Sequence, residues 1–359
     1  MRFDLTVPLA KYVAMNYGSL TFPFRRYQMG KVYRGERPQK GRYREFYQCD
    51  IDIIGDGELN ILNDAEIPSV IYTTFKDLGF EKFIIRINNR KVLNGFFEYL
   101  KLTDKITEIL RLIDKYEKVE EKTIREWLKE IEISDEKIDK ILEFINIKGN
   151  SVETIIKLKS LNIDSELFNE GILELEQVIN AVKAFDVPEQ NYIIDLKIAR
   201  GLDYYTGTIY ETMLTDYPEL GSVCSGGRYD NLAEYYTNKK LPGVGISIGL
   251  SRLFTYLKMN NIISTKEAST AQVLIVPMIE DLSFAFKIAS NLRNEGINSE
   301  VCYNRKTTKS MLNYANKLKI PYVIFIGEDE IKTNALTIKN METGEQETGT
   351  IKDIIIKLK

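Results

Sequence analysis

Alternation of apolar and polar residues dominates the first hundred positions of the chain. The run RYQMGKVYR, from Arg26 to Arg34, is typical of a β-strand, and so is YREFYQCDIDIIGDG, which begins at Tyr43 after a polar stretch containing Gly and Pro. Two such runs around a polar connection predict an antiparallel pair. The segment from Asp64 to Leu78 predicts a helix.

The second predicted strand has one polar face. With a period of two, one face carries Phe46, Gln48, Asp50 and Asp52, and the other carries Tyr47, Cys49, Ile51 and Ile53. Carboxylates and an amide on a strand face require water or a ligand. A hydrated surface is the plainer interpretation and stays open.

Residues 101 to about 187 change to charged, amphipathic segments with few strand signals. Asn150 and Glu153 have the spacing of a capping box at the start of a helix. Apolar residues then recur at helical spacing, at Ile172, Leu175, Val178, Ile179, Val182 and Phe185. Such a stripe predicts core packing rather than a cofactor site.

Strand character returns from Tyr192 to Met213, followed by two Gly-rich runs, GSVCSGGRYDNL and PGVGISIGLSRLF. The second run alternates glycine with apolar residues and then predicts a helix. A polar stretch from Asn260 to Ser269 predicts a linker. Beyond it, strands and helices alternate to the end of the chain, which predicts a separate α/β domain with a largely parallel sheet.

Composition narrows the class of protein. A chain of 359 residues predicts two or three domains, and 44% hydrophobic residues predict a packed protein. No apolar run reaches the roughly 18 residues needed to span a membrane, and no signal peptide opens the chain, so a cytoplasmic location is expected. The three cysteines lie far apart along the chain, which favours buried thiols: Cys49, Cys224 and Cys302.

The chain contains no histidine. Ser-His-Asp triads, HExxH zinc sites and imidazole general bases are therefore excluded. The net charge of −3 does not by itself favour nucleic-acid binding, so any such binding must depend on local patches.

Three clusters carry candidate chemistry. Arg34, Glu36, Arg37 and Arg42 surround the polar connection, and guanidinium groups suit phosphate and carboxylate because they offer paired donors. The stretch ARGLDYYTG joins an arginine to tandem tyrosines. The run GVGISIGLSRLF has glycines where a flat ligand could approach the backbone, but it lacks the Rossmann and P-loop patterns. Taken singly, the first cluster is more plainly a solvated hairpin tip, the second is compatible with ordinary strand packing, and the third is weak evidence for a ligand site.

In this order the clusters resemble the histidyl-tRNA synthetases. YRGERPQKGRYREFYQCDIDIIG is similar to motif 2 of that family, ARGLDYYTGTIYE and SGGRYDNL to its two characteristic stretches, and PGVGISIGLSRLF to class II motif 3. The opening RFDLTVPLAKYVAMN is similar to the segment before motif 2. The resemblance covers essentially the whole chain.

The resemblance implies an α+β catalytic domain on an antiparallel class II synthetase sheet, with a helical insertion and a C-terminal α/β anticodon-binding domain. The expected bounds are 1–100 and 189–262 for the two catalytic parts, 101–188 for the insertion and 271–359 for the anticodon-binding domain. Because the chain begins inside a family segment, an N-terminal truncation is expected, with motif 1 missing. The family is dimeric, so the full-length protein is expected to be a homodimer.

The resemblance also implies a reaction. Histidine and ATP, accompanied by Mg²⁺, form histidyl-adenylate, and the histidyl group then passes to tRNA(His). No tightly bound cofactor and no protein metal site are expected. One departure is Ser251, where many relatives carry Glu, so metal or ATP contacts are expected to differ.

Residue roles follow from the family motifs. The implied catalytic arginines are Arg34, Arg200 and Arg252, and the implied ATP contacts are Arg34, Glu36, Arg42 and Arg252. Asp52 and Tyr205 match the positions that bind imidazole, and Asp4, Thr6 and Gln48 match those that hold the α-amino group. The same pocket is expected to be lined by Tyr204, Gly226, Gly227 and Tyr229. Asp50 shares the polar face but receives no role.

Two other functions remain open at this stage. One is the histidine-sensing regulatory subunit of ATP phosphoribosyltransferase, which is a synthetase relative, and the other is a synthetase-like segment of a stress kinase. Intact arginines at 34, 200 and 252 favour the enzyme. Binding of tRNA by the C-terminal domain is implied by the resemblance. Arg305, Lys306 and Lys309 form a modest basic cluster there, for which a hydrated surface is the plainer interpretation.

Overall fold

The chain forms two compact units, Met1–Asn260 and Asn261–Lys359. The computed structural model describes residues 1–35, 37, 42–199, 204–263, 269–303 and 307–359. Glu36, Arg200, Arg305 and Lys306 lie outside the described residues. Each unit has its own sheet, and each is described separately below.

A seven-stranded sheet forms the centre of the first unit in the described part of the chain. Its strands are β1 (Phe24–Tyr33), β2 (Glu45–Ile54), β3 (Phe83–Asn89), β4 (Tyr192–Ile194), β5 (Thr208–Leu214), β6 (Ser222–Tyr229) and β7 (Gly243–Ile248). The spatial order is β1-β2-β7-β6-β5-β3-β4, and every neighbouring pair is antiparallel except β3 with β4. The expected antiparallel α+β architecture is confirmed.

The predicted antiparallel pair is the longest ladder of this sheet. β1 and β2 pair over ten residues each, from Phe24 opposite Ile54 to Tyr33 opposite Glu45. Residues 34–44 connect the two strands, and no crossover element is needed because the pair is antiparallel. The strand predicted to begin at Arg26 begins two residues earlier.

The helices of the first unit lie mainly between β3 and β4. They are α1 (Thr6–Asn16), α2 (Leu62–Asp77), α3 (Arg90–Tyr99), α4 (Ile106–Ile113), α5 (Glu121–Glu130), α6 (Asp135–Ile145), α7 (Ser151–Ser160), α8 (Glu166–Ala184) and α9 (Leu250–Met259). The predicted capping box is confirmed at the start of α7: Glu153 N donates to Asn150 Oδ1 at 2.9 Å, and Asn150 N donates to Glu153 Oε2 at 3.1 Å. The apolar stripe on α8 is buried as predicted, except Phe185, which follows the helix and is 48% exposed.

Two glycines bring α3 and α8 close together. A Cβ atom on Gly95 would lie 2.4 Å from the backbone nitrogen of Phe168, and one on Gly171 would lie 2.6 Å from that of Val92. The helical segment therefore shares one continuous core with the sheet instead of forming a separate one.

The second unit has a mixed five-stranded sheet in its described residues. Its elements are β8 (Val273–Pro277), α10 (Ser283–Asn294), β9 (Ser299–Val301), α11 (Thr308–Leu318), β10 (Tyr322–Ile326), α12 (Glu328–Thr333), β11 (Leu336–Asn340), β12 (Gln346–Gly349) and α13 (Ile351–Leu358). The α/β prediction is confirmed. The expectation of a largely parallel sheet is wrong, because β9, β8 and β10 are parallel whereas β11 and β12 are antiparallel. A short turn containing Gly344 at φ 80° joins β11 to β12, and so short a connection permits only antiparallel pairing.

The expectation of buried thiols holds for one cysteine of three. Cys224 is buried, but Cys49 and Cys302 are only partly buried.

None of the helices in the described ranges is long and apolar enough to cross a membrane.

A buried ion pair attaches α2 to the sheet. Asp64, fully buried in α2, accepts hydrogen bonds from Arg228 of β6, at 2.7 Å from Nη2 and 3.1 Å from Nε. Arg228 also donates to Leu59 O at 2.9 Å, and its Nη1 lies 3.2 Å from Asp230. Burial raises the pKa of Asp64, and the charge of Arg228 opposes that rise. Because Arg228 follows Gly227 in β6, this pair also holds the strand next to the cleft described below.

Asp64→Asn should lower the free energy of unfolding by about 3–5 kcal/mol, because it removes the buried anion that bonds Arg228 most closely and leaves only the more distant Asp230. Urea denaturation at neutral pH measures the loss. The matched control is Lys140→Gln, which removes an exposed pair with Glu136 and should change stability by under about 1 kcal/mol. Similar small losses in the two variants would show that the Asp64–Arg228 pair does not anchor α2.

Candidate active site

A continuous cleft crosses one face of the seven-stranded sheet. Its inner part has a volume of ≈ 320 Å³ and its outer part ≈ 260 Å³. The residues that line both parts are Arg34, Gln48, Ser222, Ser225, Ser247 and Arg252. Among the described residues, the predicted amino-acid residue Gln48 and the predicted ATP residues Arg34 and Arg252 therefore meet in a single site.

The predicted histidine-binding residues divide into two layers. Those that line the inner cavity are Asp4, Thr6, Gln48, Tyr204, Tyr205 and Gly226. Those that lie behind its wall are Asp52, Gly227 and Tyr229. The second layer contacts the first: the rings of Tyr204 and Tyr229 are 5.9 Å apart, and a Cβ on Gly227 would lie 2.9 Å from Tyr205 Cδ1.

The polar face of β2 is buried. Gln48, Asp50 and Asp52 are 9%, 3% and 3% exposed, so the hydrated-surface interpretation is wrong. Gln48 Nε2 donates to Ser247 Oγ on β7 at 2.8 Å. Burial raises the pKa of Asp50 to about 6, although a hydrogen bond from Ser247 and the charge of Arg26 oppose the rise.

Arg26 is a site residue that the sequence analysis missed. It stands directly opposite Asp52 in the β1–β2 ladder, and its Nη2 lies 2.9 Å from Asp52 Oδ2, with the two side chains 9% and 3% exposed. The contact is an ion pair without the alignment of a hydrogen bond. The period-two pattern of β1, combined with the register of the hairpin, is the signal that would have found it.

Asp52 is held from two sides. Tyr229 donates its hydroxyl to Asp52 Oδ1 at 2.7 Å, opposite the contact with Arg26. Burial raises the pKa of Asp52 to about 7, against the lowering effects of Arg26 and Tyr229. The cluster therefore holds a carboxylate that exchanges its proton near neutral pH.

The glycine of β7 nearest to Asp52 makes room for a side chain rather than for a ligand. A Cβ atom on Gly245 would lie 2.3 Å from Asp52 Oδ1 and 2.4 Å from the carbonyl oxygen of Ile51. The glycines of this run leave open, from the sequence alone, the approach of a flat ligand to the backbone. At Gly245 the space is filled by the Asp52 carboxylate.

At the inner end, side chains from separate segments close the cavity. Asp4 Oδ1 accepts the backbone N–H of Val7 at 3.0 Å, which ties the start of α1 to the cavity wall. The rings of Tyr204 and Tyr205 meet edge to face at 4.8 Å. Burial raises the pKa of Tyr204, so its hydroxyl stays protonated and can donate a hydrogen bond.

Arginines line the outer end. The guanidinium of Arg34 lies between the rings of Phe3 and Phe46, at 4.6 and 5.1 Å from their centroids, an arrangement that fixes its orientation. Arg252, in the first turn of α9, donates to Ser222 O at 3.1 Å. Arg42 is exposed and also lines this part. The outer end is therefore cationic.

Ser251 is not among the described residues that line either part of the cleft. Its Oγ accepts the backbone N–H of Tyr47 at 2.9 Å, just past the last paired residues of β2 and β7. The serine thus fastens the start of α9 to β2. Its expected influence on metal or ATP contacts stays a prediction.

Opposite charges occupy the two ends of the cleft. Asp4, Asp50 and Glu211 line only the inner part with Asp52 behind them, Arg42 lines only the outer part, and Arg34 and Arg252 line both parts. In low-dielectric surroundings such groups act strongly on a bound charge. The cleft therefore suits a molecule that is cationic at one end and carries phosphates or a carboxylate at the other.

As the pH rises from about 5 to 8, the Asp52→Asn variant should become more stable relative to the native protein. The quantity compared is the free energy of unfolding of the two proteins at each pH. Since the folded-state pKa of Asp52 lies above its usual range, the stability contributed by this group is present at low pH and is lost as the pH rises through about 7. Asparagine has no proton to lose. Urea denaturation across this range measures the difference, and a constant or shrinking difference would contradict the raised pKa.

Two family models match the chain. The model described as histidyl-tRNA synthetase matches residues 1–253, and the one described as anticodon binding domain matches residues 272–359. A histidine–tRNA ligase of Clostridium tetani is 58% identical over 99% of this chain and 81% of its own length. One of Finegoldia magna is 49% identical over 100% of this chain and 83% of its own length.

Solved structures agree with these matches. The crystal structure of histidyl-tRNA synthetase from Nostoc sp. PCC 7120 has a TM-score of 0.83 and 40% identity, over 100% of this chain and 83% of that one. The apo histidyl-tRNA synthetase of S. aureus, at 21% identity and a TM-score of 0.65 over 100% of this chain and 81% of that one, supports the fold alone. By the extent of the family model and the identity of these relatives, the chain belongs to the histidyl-tRNA synthetase family.

Proposed function

We propose that this protein ligates histidine to its tRNA in two steps, by forming histidyl-adenylate from histidine and ATP and then transferring the histidyl group. The observation that carries the proposal is one cleft whose carboxylates line the inner part and whose arginines line the outer part, with Arg34 and Arg252 shared by both parts. Relatives named histidine–tRNA ligase at 58% and 49% identity support the same activity.

In this proposal histidine occupies the inner cavity. Asp4, Thr6 and Gln48 hold the α-amino group, because all three line that cavity and offer oxygen acceptors. The imidazole points towards Tyr205 and, behind it, Asp52. Because Asp52 already contacts Arg26 and Tyr229, it acts on the ring by its charge or after a small displacement of the wall.

ATP occupies the outer part. Arg34 lies where the two parts join, so it can contact both the α-phosphate and the histidine carboxylate, and Arg252 and Arg42 face the outer phosphates. The roles of Arg200 near the α-phosphate and of Glu36 near the adenine rest on the motif matches, since both lie outside the described residues. Mg²⁺ accompanies ATP as part of the substrate.

The chemistry requires positioning and charge stabilisation. A histidine carboxylate oxygen attacks the α-phosphorus, the bond to the bridging oxygen breaks, and pyrophosphate leaves. A ribose hydroxyl of the tRNA terminus then attacks the acyl carbon, and AMP leaves. Fixed guanidinium groups stabilise the charge on the phosphoryl oxygens, so a protein without histidine is suited to this reaction.

The regulatory alternative has weaker support. A Bacillus halodurans structure titled as an ATP phosphoribosyltransferase regulatory subunit/histidyl-tRNA synthetase is 19% identical with a TM-score of 0.69, over 90% of this chain and 79% of that one, and so supports the fold alone. Arg34 and Arg252 are retained in the cleft, and the second unit matches an anticodon binding domain, which favours the enzyme.

The second unit is proposed to bind the anticodon region of tRNA(His). Of its predicted basic cluster only Lys309 belongs to the described residues, where it is exposed. A cytoplasmic location belongs to the same proposal and rests on the family's role in translation.

A homodimer is proposed because the family is dimeric, and one sheet face offers apolar surface for it. Tyr27 and Met29 on β1 are 78% and 67% exposed, and Tyr47 on β2 is 44% exposed. Their cross-strand partners place them on the face opposite the polar residues of β2. Large exposed apolar groups on a strand pair are typical of interaction surfaces.

Histidine-dependent exchange of labelled pyrophosphate into ATP tests the adenylate step. The native protein should catalyse exchange with histidine and with no other amino acid. Arg34→Ala should reduce it by roughly 100- to 1,000-fold, because a charge-stabilising donor is lost. Arg25→Ala is the matched control, since Arg25 lies on β1, the strand that Arg34 follows, but pairs with Glu66 on the exposed side. Absence of exchange by the native protein, or equal rates in the two variants, would count against the proposal.

Sedimentation velocity tests the homodimer. The native protein should sediment at twice the chain mass of 41.5 kDa, and a Tyr27→Asp, Met29→Asp variant should shift towards that single mass. The double variant should keep its native circular dichroism, because both positions are largely exposed. A native protein that stays monomeric at micromolar concentration would refute this part of the proposal.

A further inference from the structure

Asp50 has no role in the function proposed above, yet it lies on the floor of the inner cavity. It sits between Gln48 and Asp52 on the polar face of β2, is 3% exposed, and lines the cavity together with Asp4 and Thr6. A carboxylate in this position must be compensated by donors or by positive charge.

The protein supplies little of that compensation. Ser247 lowers the pKa of Asp50, but no described residue donates a hydrogen bond to Oδ1. The ion pairs of the described residues include none to Asp50 within 4.0 Å, whereas Asp52 has Arg26 at 2.9 Å. Arg26 and Arg34 act on Asp50 only through their fields.

The side-chain amide of Gln48, next to Asp50 on the same strand face, also has an acceptor without a partner among the described residues. The nitrogen of Gln48 is committed to Ser247, and its oxygen Oε1 is buried without a hydrogen bond from any described residue. Gln48, Ser247 and Asp50 all line the inner cavity. The buried atoms there that lack a partner among the described residues, Gln48 Oε1 and Asp50 Oδ1, are both hydrogen-bond acceptors. A wall of that kind favours a cationic, donor-rich group over a neutral or anionic one.

We propose that Asp50 is a specificity-determining residue that makes the inner cavity select amino acids with a protonated α-amino group. The inference rests on the proposed function, because that function brings an α-ammonium group to Asp4, Thr6 and Gln48. Asp50 adds its negative charge to that of Asp4 in the same cavity. It acts on the ammonium group directly or through the Ser247–Gln48 wall.

The test compares histidine with deaminohistidine, which is the same molecule without its α-amino group. Dissociation constants of both are measured by calorimetry for the native protein and for Asp50→Asn, which keeps the shape and removes the charge. The dissociation constant of deaminohistidine divided by that of histidine should fall by roughly 10- to 100-fold in the variant, through weaker histidine binding and unchanged deaminohistidine binding. Asp56→Asn, an exposed carboxylate bonded to Tyr17, is the charge-matched control and should keep the native ratio.

The outcomes separate the two proposals. If both ligands weaken equally in Asp50→Asn, the residue has only a structural role, and an unchanged ratio likewise overturns the inference. Asp50→Ala serves as a second variant should the first not fold, with the same expected fall in the ratio. If the native protein exchanges pyrophosphate with histidine while the ratio is insensitive to Asp50, only this inference fails; if it neither binds histidine nor catalyses exchange, the proposed function fails as well.

Discussion

The register between β1 and β2 determines where the charged groups of the cleft lie. Because side chains alternate along a strand, a slip of one residue would move Gln48, Asp50 and Asp52 to the other face. The observed register sets Arg26 against Asp52 and places the end of β1 so that Arg34 follows it at the join of the two cleft parts. The ion pair between Arg26 and Asp52 is itself a reason for this register, since any other would leave one buried charge without its partner.

This arrangement places groups that destabilise the fold where, in the proposed function, they bind histidine. Burial raises the pKa values of Asp50 and Asp52 to about 6 and about 7, which means that their ionised forms are disfavoured in the folded protein. Arg26, Tyr229 and Ser247 reduce that penalty without removing it. Polar groups with unmet partners at a site are typical of positions kept for recognition rather than stability, because a matching ligand supplies what the protein lacks.

Local sequence patterns were sufficient to predict most helices and strands, and to predict which face of β2 contributes to the site. Alternation predicted β1, β2 and the side on which Gln48 and Asp52 lie, and the helical stripe predicted the buried face of α8. Arg26 was missed because its partner is 26 positions away and only the register brings the two together. The layering of the pocket, with Asp52 and Tyr229 behind the wall, depends on packing between β2, β6 and β7, which no single segment encodes. The antiparallel edge of the second sheet was missed because an alternating pattern does not show strand direction.

A crystal structure with a non-hydrolysable histidyl-adenylate analogue tests the central claim most directly, namely that the inner end of the cleft binds histidine and the outer end binds the nucleotide. The account predicts the α-amino group beside Asp4, Gln48 and Asp50, the imidazole towards Tyr205, and the linkage between the histidyl and adenosine groups at Arg34. An analogue bound in the reverse direction, or bound outside this cleft, would contradict it.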